Sequence, residues 1–101
     1  MDRAMAIDFE LHLQEGFDGE TVVIEVDGVE IARVEARTRM QTGLAHIEKL
    51  RLKPGQTVVV RLPDLSLSAE HRVVAGRPFI QVTLKNGALR IEATETTPGY
   101  L

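Results

Sequence analysis

The dipeptide Asn86-Gly87 sits between two runs of strictly alternating apolar and polar residues, and this constrains the chain more than any other feature. Both central residues of a type I′ turn take positive φ, which Asn and Gly tolerate, and the twist of that turn matches the twist of the strands it joins. A two-residue loop there pairs Leu84 with Leu89, Val82 with Ile91 and Ile80 with Ala93 on one face. Thr83 then meets Arg90 and Gln81 meets Glu92 on the other face, so one side is apolar throughout and the other polar throughout. A helix would scatter both sets around its circumference, because its side chains repeat every 3.6 residues rather than every two. The C-terminal third is therefore predicted to be a hairpin with one buried and one wet face.

The same period runs through the rest of the chain. Ile7, Phe9, Leu11 and Leu13 alternate with Asp8, Glu10, His12 and Gln14, predicting a half-buried first strand with His12 on its solvent side. Glu15-Gly16-Phe17-Asp18-Gly19 supplies turn residues, with Phe17 tucked back, and a strand from Glu20 to Val26 follows. Asp27-Gly28 marks a second hairpin, returning along Glu30 to Arg37. A strict two-residue loop would oppose Glu25 to Glu30 and Val22 to Arg33, whereas a three-residue loop aligns Val22, Ile24 and Val26 with Ala32, Val34 and Ala36. Cross-strand chemistry favours the three-residue loop, which leaves Glu25, Arg33, Glu35 and Arg37 as a mixed-charge ladder on the outer face.

Between residues 40 and 50, Met40, Leu44, Ile47 and Leu50 have helical spacing, but Gly43 disfavours a helix. A strand with a bulge near Glu48-Lys49 is expected, which would move the apolar set from Ala45 and Ile47 to Leu50 and Leu52. Thr57 to Leu62 is nearly continuous β-branched sequence and suits a strand at the centre of the core. Leu65, Leu67 and Ala69 alternate again, and His71 to Val74 fits either strand or loop.

Seven or eight such strands fit an all-β fold, a single antiparallel β-sandwich, with a small β-barrel as the alternative. With 101 residues, 44% of them hydrophobic, the chain matches one domain spanning 1–101, with 1–5 and 95–101 as flexible ends. Twelve Lys and Arg against 15 Asp and Glu leave a net charge of −3, which opposes attraction to phosphate backbones and anionic lipid. Without tryptophan, and with one tyrosine and three phenylalanines, the chain lacks stacking platforms for single-stranded nucleic acid. Neither nucleic acid nor membrane is an expected partner. Cysteine is absent, which removes disulfides and thiolate sites, and no glycine-rich phosphate motif occurs. No cofactor is expected. The acidic alternation after Met5 cannot form the apolar centre of a signal peptide, so the chain is expected to be cytoplasmic.

The residues that could carry function are few. Arg33, Arg37 and Arg39 could grip an anion or an acidic partner through their guanidinium forks, although Glu35 interleaves them. Tyr100, followed only by Leu101 after a Pro-Gly turn, could dock on a partner or on the sandwich itself. His12, with Asp8 and Glu10, could form part of a metal shell. His46 or His71 could act as a base if Ser66 or Ser68 and Glu70 folded beside it, but no nucleophile motif supports catalysis. Structural or solvated histidines account for all three better than either chemistry.

Val26-Asp27-Gly28, the return to Thr38, Thr42-Gly43-Leu44-Ala45, and Leu52-Lys53-Pro54-Gly55-Gln56-Thr57 running into Val58-Val59-Val60 together span about half the chain. In that order of signals it resembles the transthyretin-like β-sandwich modules that include carboxypeptidase regulatory domains. The resemblance implies a sandwich acting as a non-catalytic accessory or interaction module. The enzymatic branch, the hydroxyisourate hydrolases, ends in Tyr-Arg-Gly-Ser, whereas this chain ends Pro98-Gly99-Tyr100-Leu101, which departs from the hydrolase pattern. The expected function is a protein-interaction module that binds a protein partner or its own copy through a sheet edge. A protein binding an anionic small molecule, or a small hydrolase, is the competing expectation.

Overall fold

The computed structural model describes residues 6–99 and contains eight strands in two four-stranded sheets. The strands are β1 (Ile7–Leu13), β2 (Asp18–Val26), β3 (Val29–Arg37), β4 (His46–Leu52), β5 (Thr57–Leu62), β6 (Leu67–Arg72), β7 (Phe79–Lys85) and β8 (Ala88–Thr94). One sheet has the order β4-β1-β7-β8 and the other β3-β2-β5-β6, so the fold is a sandwich rather than the alternative barrel. Every pairing is antiparallel except β1 with β7, which run parallel. That pair departs from the all-antiparallel expectation: β4 takes one side of β1 in antiparallel sense, and β7, arriving after β5 and β6 complete the second sheet, takes the other side in parallel sense.

The inward faces carry the alternating apolar residues read from the sequence. Phe9, Leu11 and Leu13 from β1 and Ile80 and Val82 from β7 are buried with Val22 and Ile24 from β2 and Val58, Val60 and Leu62 from β5. These are the middle strands of each sheet, where burial is complete. Phe17 tucks back into the core from the β1–β2 connection, as expected. At Gly16, with φ of +97°, an added Cβ would lie 1.7 Å from the Leu84 carbonyl oxygen, so the connection approaches β7 as only glycine can. The Leu84 amide completes that approach by donating to the Glu15 carbonyl at 2.9 Å.

Three local expectations need correction. The Asp27-Gly28 loop is a two-residue turn, with Val26 opposite Val29 and Glu25 opposite Glu30. A bulge at Ile31 then moves the strands into the register expected from the side chains, Ile24 opposite Ala32 and Val22 opposite Val34. Turn chemistry sets the tip, core pairing sets the body, and one extra residue reconciles them. In the second case, β4 has no bulge near Glu48-Lys49: its register with β1 is continuous from Leu52 opposite Ile7 to His46 opposite Leu13. The apolar set changes because β4 is an end strand whose inward face starts with the polar residues His46 and Glu48 at the rim before reaching Leu50 and Leu52. Residues 40–43 form a turn rather than a helix, closed by a bridge between Arg39 and Leu44.

The third correction concerns His12, placed on a wet face by its sequence position and in fact only 1% exposed. β1 is an interior strand, and on its outer side His12 lies between Ile47 of β4 and Gln81 of β7. Its ring meets Phe79 edge-on at 6.4 Å, and its Nε2 is 2.8 Å from Glu10 Oε1. The segment after β8 adds cover: Thr94 is paired with Phe79, yet Gly99 lies beside Gln14 and Thr83 at the other end of the strands. Residues 95–99 therefore fold back along the outer side of this sheet.

Candidate functional site

β3 is an end strand, and its backbone directions follow from the hydrogen bonds of its neighbours. The Asp27 amide donates to the Thr57 carbonyl at 2.9 Å, so Asp27 faces β5. Backbone groups alternate along a strand, so Glu25 and Val23 also face β5 while Ile24 and Val22 face β3. Their partners Ala32 and Val34 then spend their amides and carbonyls on β2, and those of Arg33 and Glu35 point away from the sheet. Among the described residues no strand pairs with that side.

The side chains alternate in the same way. Ala32, Val34 and Ala36 face inward against the core, with Ala36 fully buried and Val34 half-buried. Arg33, Glu35 and Arg37 stand exposed on the outer face. Arg33 forks onto Glu30, its Nε and Nη2 donating to the two carboxylate oxygens at 3.2 and 2.9 Å. The Glu30 carboxyl is accordingly held below the usual range by that hydrogen bond. Arg37 Nη1 donates to Asp18 Oδ1 at 2.6 Å, and Arg61 of β5 forks onto Glu25. Glu35, between two arginines on its own strand, has no ion pair among the described residues.

The hairpin tip is fixed in place. The Asp27 carboxylate accepts from the Thr57 amide at 2.9 Å and from Gln56 Nε2 at 3.0 Å, and these bonds lower its pKa. Val29 and Ile31 beside the tip are 64% and 44% exposed, an apolar pair at the start of the free edge.

The expected contact residues are thus only partly gathered. Arg33 and Arg37 share one face about 13 Å apart along the strand, too far to fork one small anion together. Both are already committed to carboxylates. Arg39 lies beyond β3 in the turn that closes on Leu44. Tyr100 lies outside the described residues. Sequence reading identified Arg33 and Arg37 but missed Glu35 as an unpaired acceptor and Ile31 as the bulge. The competing register requirements of turn and strand body were the available signal for the bulge.

The histidines do not assemble a catalytic group. His46 pairs with Glu48 at 2.8 Å on β4. His71 lies on the inward face of β6, while Ser68 and Glu70 occupy the opposite face, so the Ser, His and Glu grouping is broken by strand alternation. Burial holds the His71 imidazole below the ordinary histidine range, and its Nε2 has no hydrogen-bond partner among the described residues. Near His12, Glu10 is its hydrogen-bond partner and Asp8 is 3.5 Å from Arg51, so neighbouring groups already engage both carboxylates.

A surface cavity of about 480 Å³ lies at this end of the first sheet, bordered by Asp8, Glu10, Lys49, Arg51, Pro78 and Phe79. Its carboxylates, Asp8 and Glu10, lie on β1 opposite its cations, Arg51 and Lys49, on β4. No helix among the described residues is long and apolar enough to cross a membrane. Comparisons with protein families, curated proteins and solved structures find no match to this chain.

Proposed function

We propose that the chain is a non-enzymatic protein-interaction module whose β3 edge adds a strand from a partner protein. The observation that carries this reading is the free edge itself: a nine-residue end strand with the Arg33 and Glu35 backbone groups directed outward and charged side chains above them. Main-chain hydrogen bonds supply affinity in such an arrangement, and side chains on alternate positions supply selectivity. The likeness to transthyretin-like accessory modules points the same way, and the reading takes the domain to be soluble and cytoplasmic.

The test is affinity purification of the tagged chain from its native cells beside Glu35→Pro. Proline removes an outward amide without breaking a bond to β2, so it blocks edge pairing while sparing the sheet. A partner captured by the wild type and lost with Glu35→Pro is the expected result. Equal capture by a folded Glu35→Pro protein would overturn the edge assignment.

The cavity by Arg51 and Phe79 favours a second reading, binding of a small molecule that carries an anionic group. Thermal shift against a metabolite set tests it. Stabilisation by one chemical class that Arg51→Ala abolishes would support it, and stabilisation that survives Arg51→Ala would place binding elsewhere.

A further inference from the structure

We infer that β3 pairs with β3 of a second copy in antiparallel register about a two-fold axis through Val34, joining two four-stranded sheets into one of eight strands. This rests on the edge reading above and specifies its partner. A two-fold axis between antiparallel strands requires residues equidistant from the centre to be complementary. Centred on Val34, Arg33 of each copy faces Glu35 of the other, so two opposite-charge pairs form across the axis. These are also the residues whose amides and carbonyls point outward, so side-chain and backbone complementarity coincide. Glu35 gains the partner it lacks in the single chain.

On the inward face the same register places Val34 against Val34 and Ala32 against Ala36, small apolar residues that extend the core across the junction. Ile31, 44% exposed in the single chain, lies opposite the alkyl stem of Arg37 from the second copy. Neighbouring registers are worse. Centring on Arg33 opposes two arginines, and centring on Glu35 opposes two glutamates and sets Arg33 against Arg37. Centring on Ala36 pairs Glu35 with Arg37 but brings Arg33 against Arg39 and leaves Ile31 uncovered.

The other end strands lack this combination. By the same alternation β4 directs Ile47, Lys49 and Arg51 outward, and its self-pairing brings like charges together. β8 has Arg90 and Glu92 in a similar relation, but β6 of the opposing sheet packs closely against β8 and crowds an added strand there. β6 shares that closed flank. β3 is the end strand that is both self-complementary and open.

Sedimentation equilibrium of the full chain from micromolar to sub-millimolar concentration tests the proposal, with circular dichroism confirming the fold of each variant. The wild type is expected to form a dimer. Arg33→Glu and Glu35→Arg are each expected to weaken it about tenfold or more, because every single reversal creates two like-charge pairs by symmetry. The double exchange Arg33→Glu with Glu35→Arg restores the pairing and should return the dissociation constant to near the wild-type value. A monomeric wild type, a dimer indifferent to both reversals, or a double exchange as weak as the singles would each overturn the proposal. Failure of the wider edge reading shows separately, as capture of another protein that survives Glu35→Pro.

Discussion

His46 and His71 both sit on the inward faces of end strands, at opposite flanks of the sandwich, and their surroundings differ. His46, on β4, reaches a carboxylate at 2.8 Å and stays partly exposed. His71, on β6, has its pKa lowered by burial and leaves Nε2 without a partner among the described residues. Where β6 meets β8 the two sheets approach closely, so a polar group there loses part of its water without gaining a partner. Across the other flank the end strands β3 and β4 approach each other less closely, and the outer backbone of β3 remains available. The two sides of one sandwich thus differ: on one the sheets meet closely, and on the other β3 presents a free edge.

Six substitutions, grouped in four tests, break or sharpen this comparison. Gly16→Ala has the largest expected effect, about 3 kcal/mol or more, because positive φ and a backbone clash at Leu84 act together in the β1–β2 connection. Urea denaturation beside Gly28→Ala calibrates it, since Gly28 has φ of +84° with open space around it and should lose about 1–2 kcal/mol. Equal losses would mean that the approach of the connection to β7 is not as described.

Next comes a charge at a partly buried inward position on each flank. Ile91→Asp on β8 should cost about 3 kcal/mol, and Val34→Asp on β3 about 1 kcal/mol at concentrations where the chain is monomeric, because the sheets approach more closely at β8 than at β3. Equal destabilisation in denaturant titrations would remove the distinction between flanks.

The third effect depends on pH. The folded-state pKa of His71 lies below its unfolded value, so the unfolded chain binds more protons as pH falls through about 6.5. The contribution of neutral His71 is fully present above that pH and is lost on acidification. His71→Leu should therefore raise the melting temperature more at pH 5 than at pH 7.5, whereas a pH-independent change would show that the imidazole is not desolvated. The smallest expected effect is at the open flank: Glu48→Gln should alter stability by under about 1 kcal/mol, because its pairing with His46 is partly in water.

Much of the fold is written locally in the chain. The β7–β8 hairpin has the register read from Asn86-Gly87, Leu84 opposite Leu89 through Ile80 opposite Ala93, because turn type and alternation demand the same pairing. In β2–β3 these demands differ by one residue, and the bulge at Ile31 that resolves them follows only from weighing both together. Alternation told which side of β1 His12 occupies, but its cover comes from Ile47, Phe79 and residues 95–99, distant in sequence. The candidate edge was half legible. Arg33, Glu35 and Arg37 stand out as a ladder, but that β3 ends its sheet and that its flank is open depend on strand order, which no local pattern encodes.

The most direct test is amide hydrogen exchange by nuclear magnetic resonance at increasing protein concentration. The amides of Arg33 and Glu35 should exchange quickly in dilute solution and gain protection as concentration rises, while those of Leu89 and Ile91, which point outward on the β8 edge, should not respond. Protection of Arg33 and Glu35 that is independent of concentration, or a concentration-dependent gain at Leu89 and Ile91 instead, would contradict an open, self-pairing β3 edge.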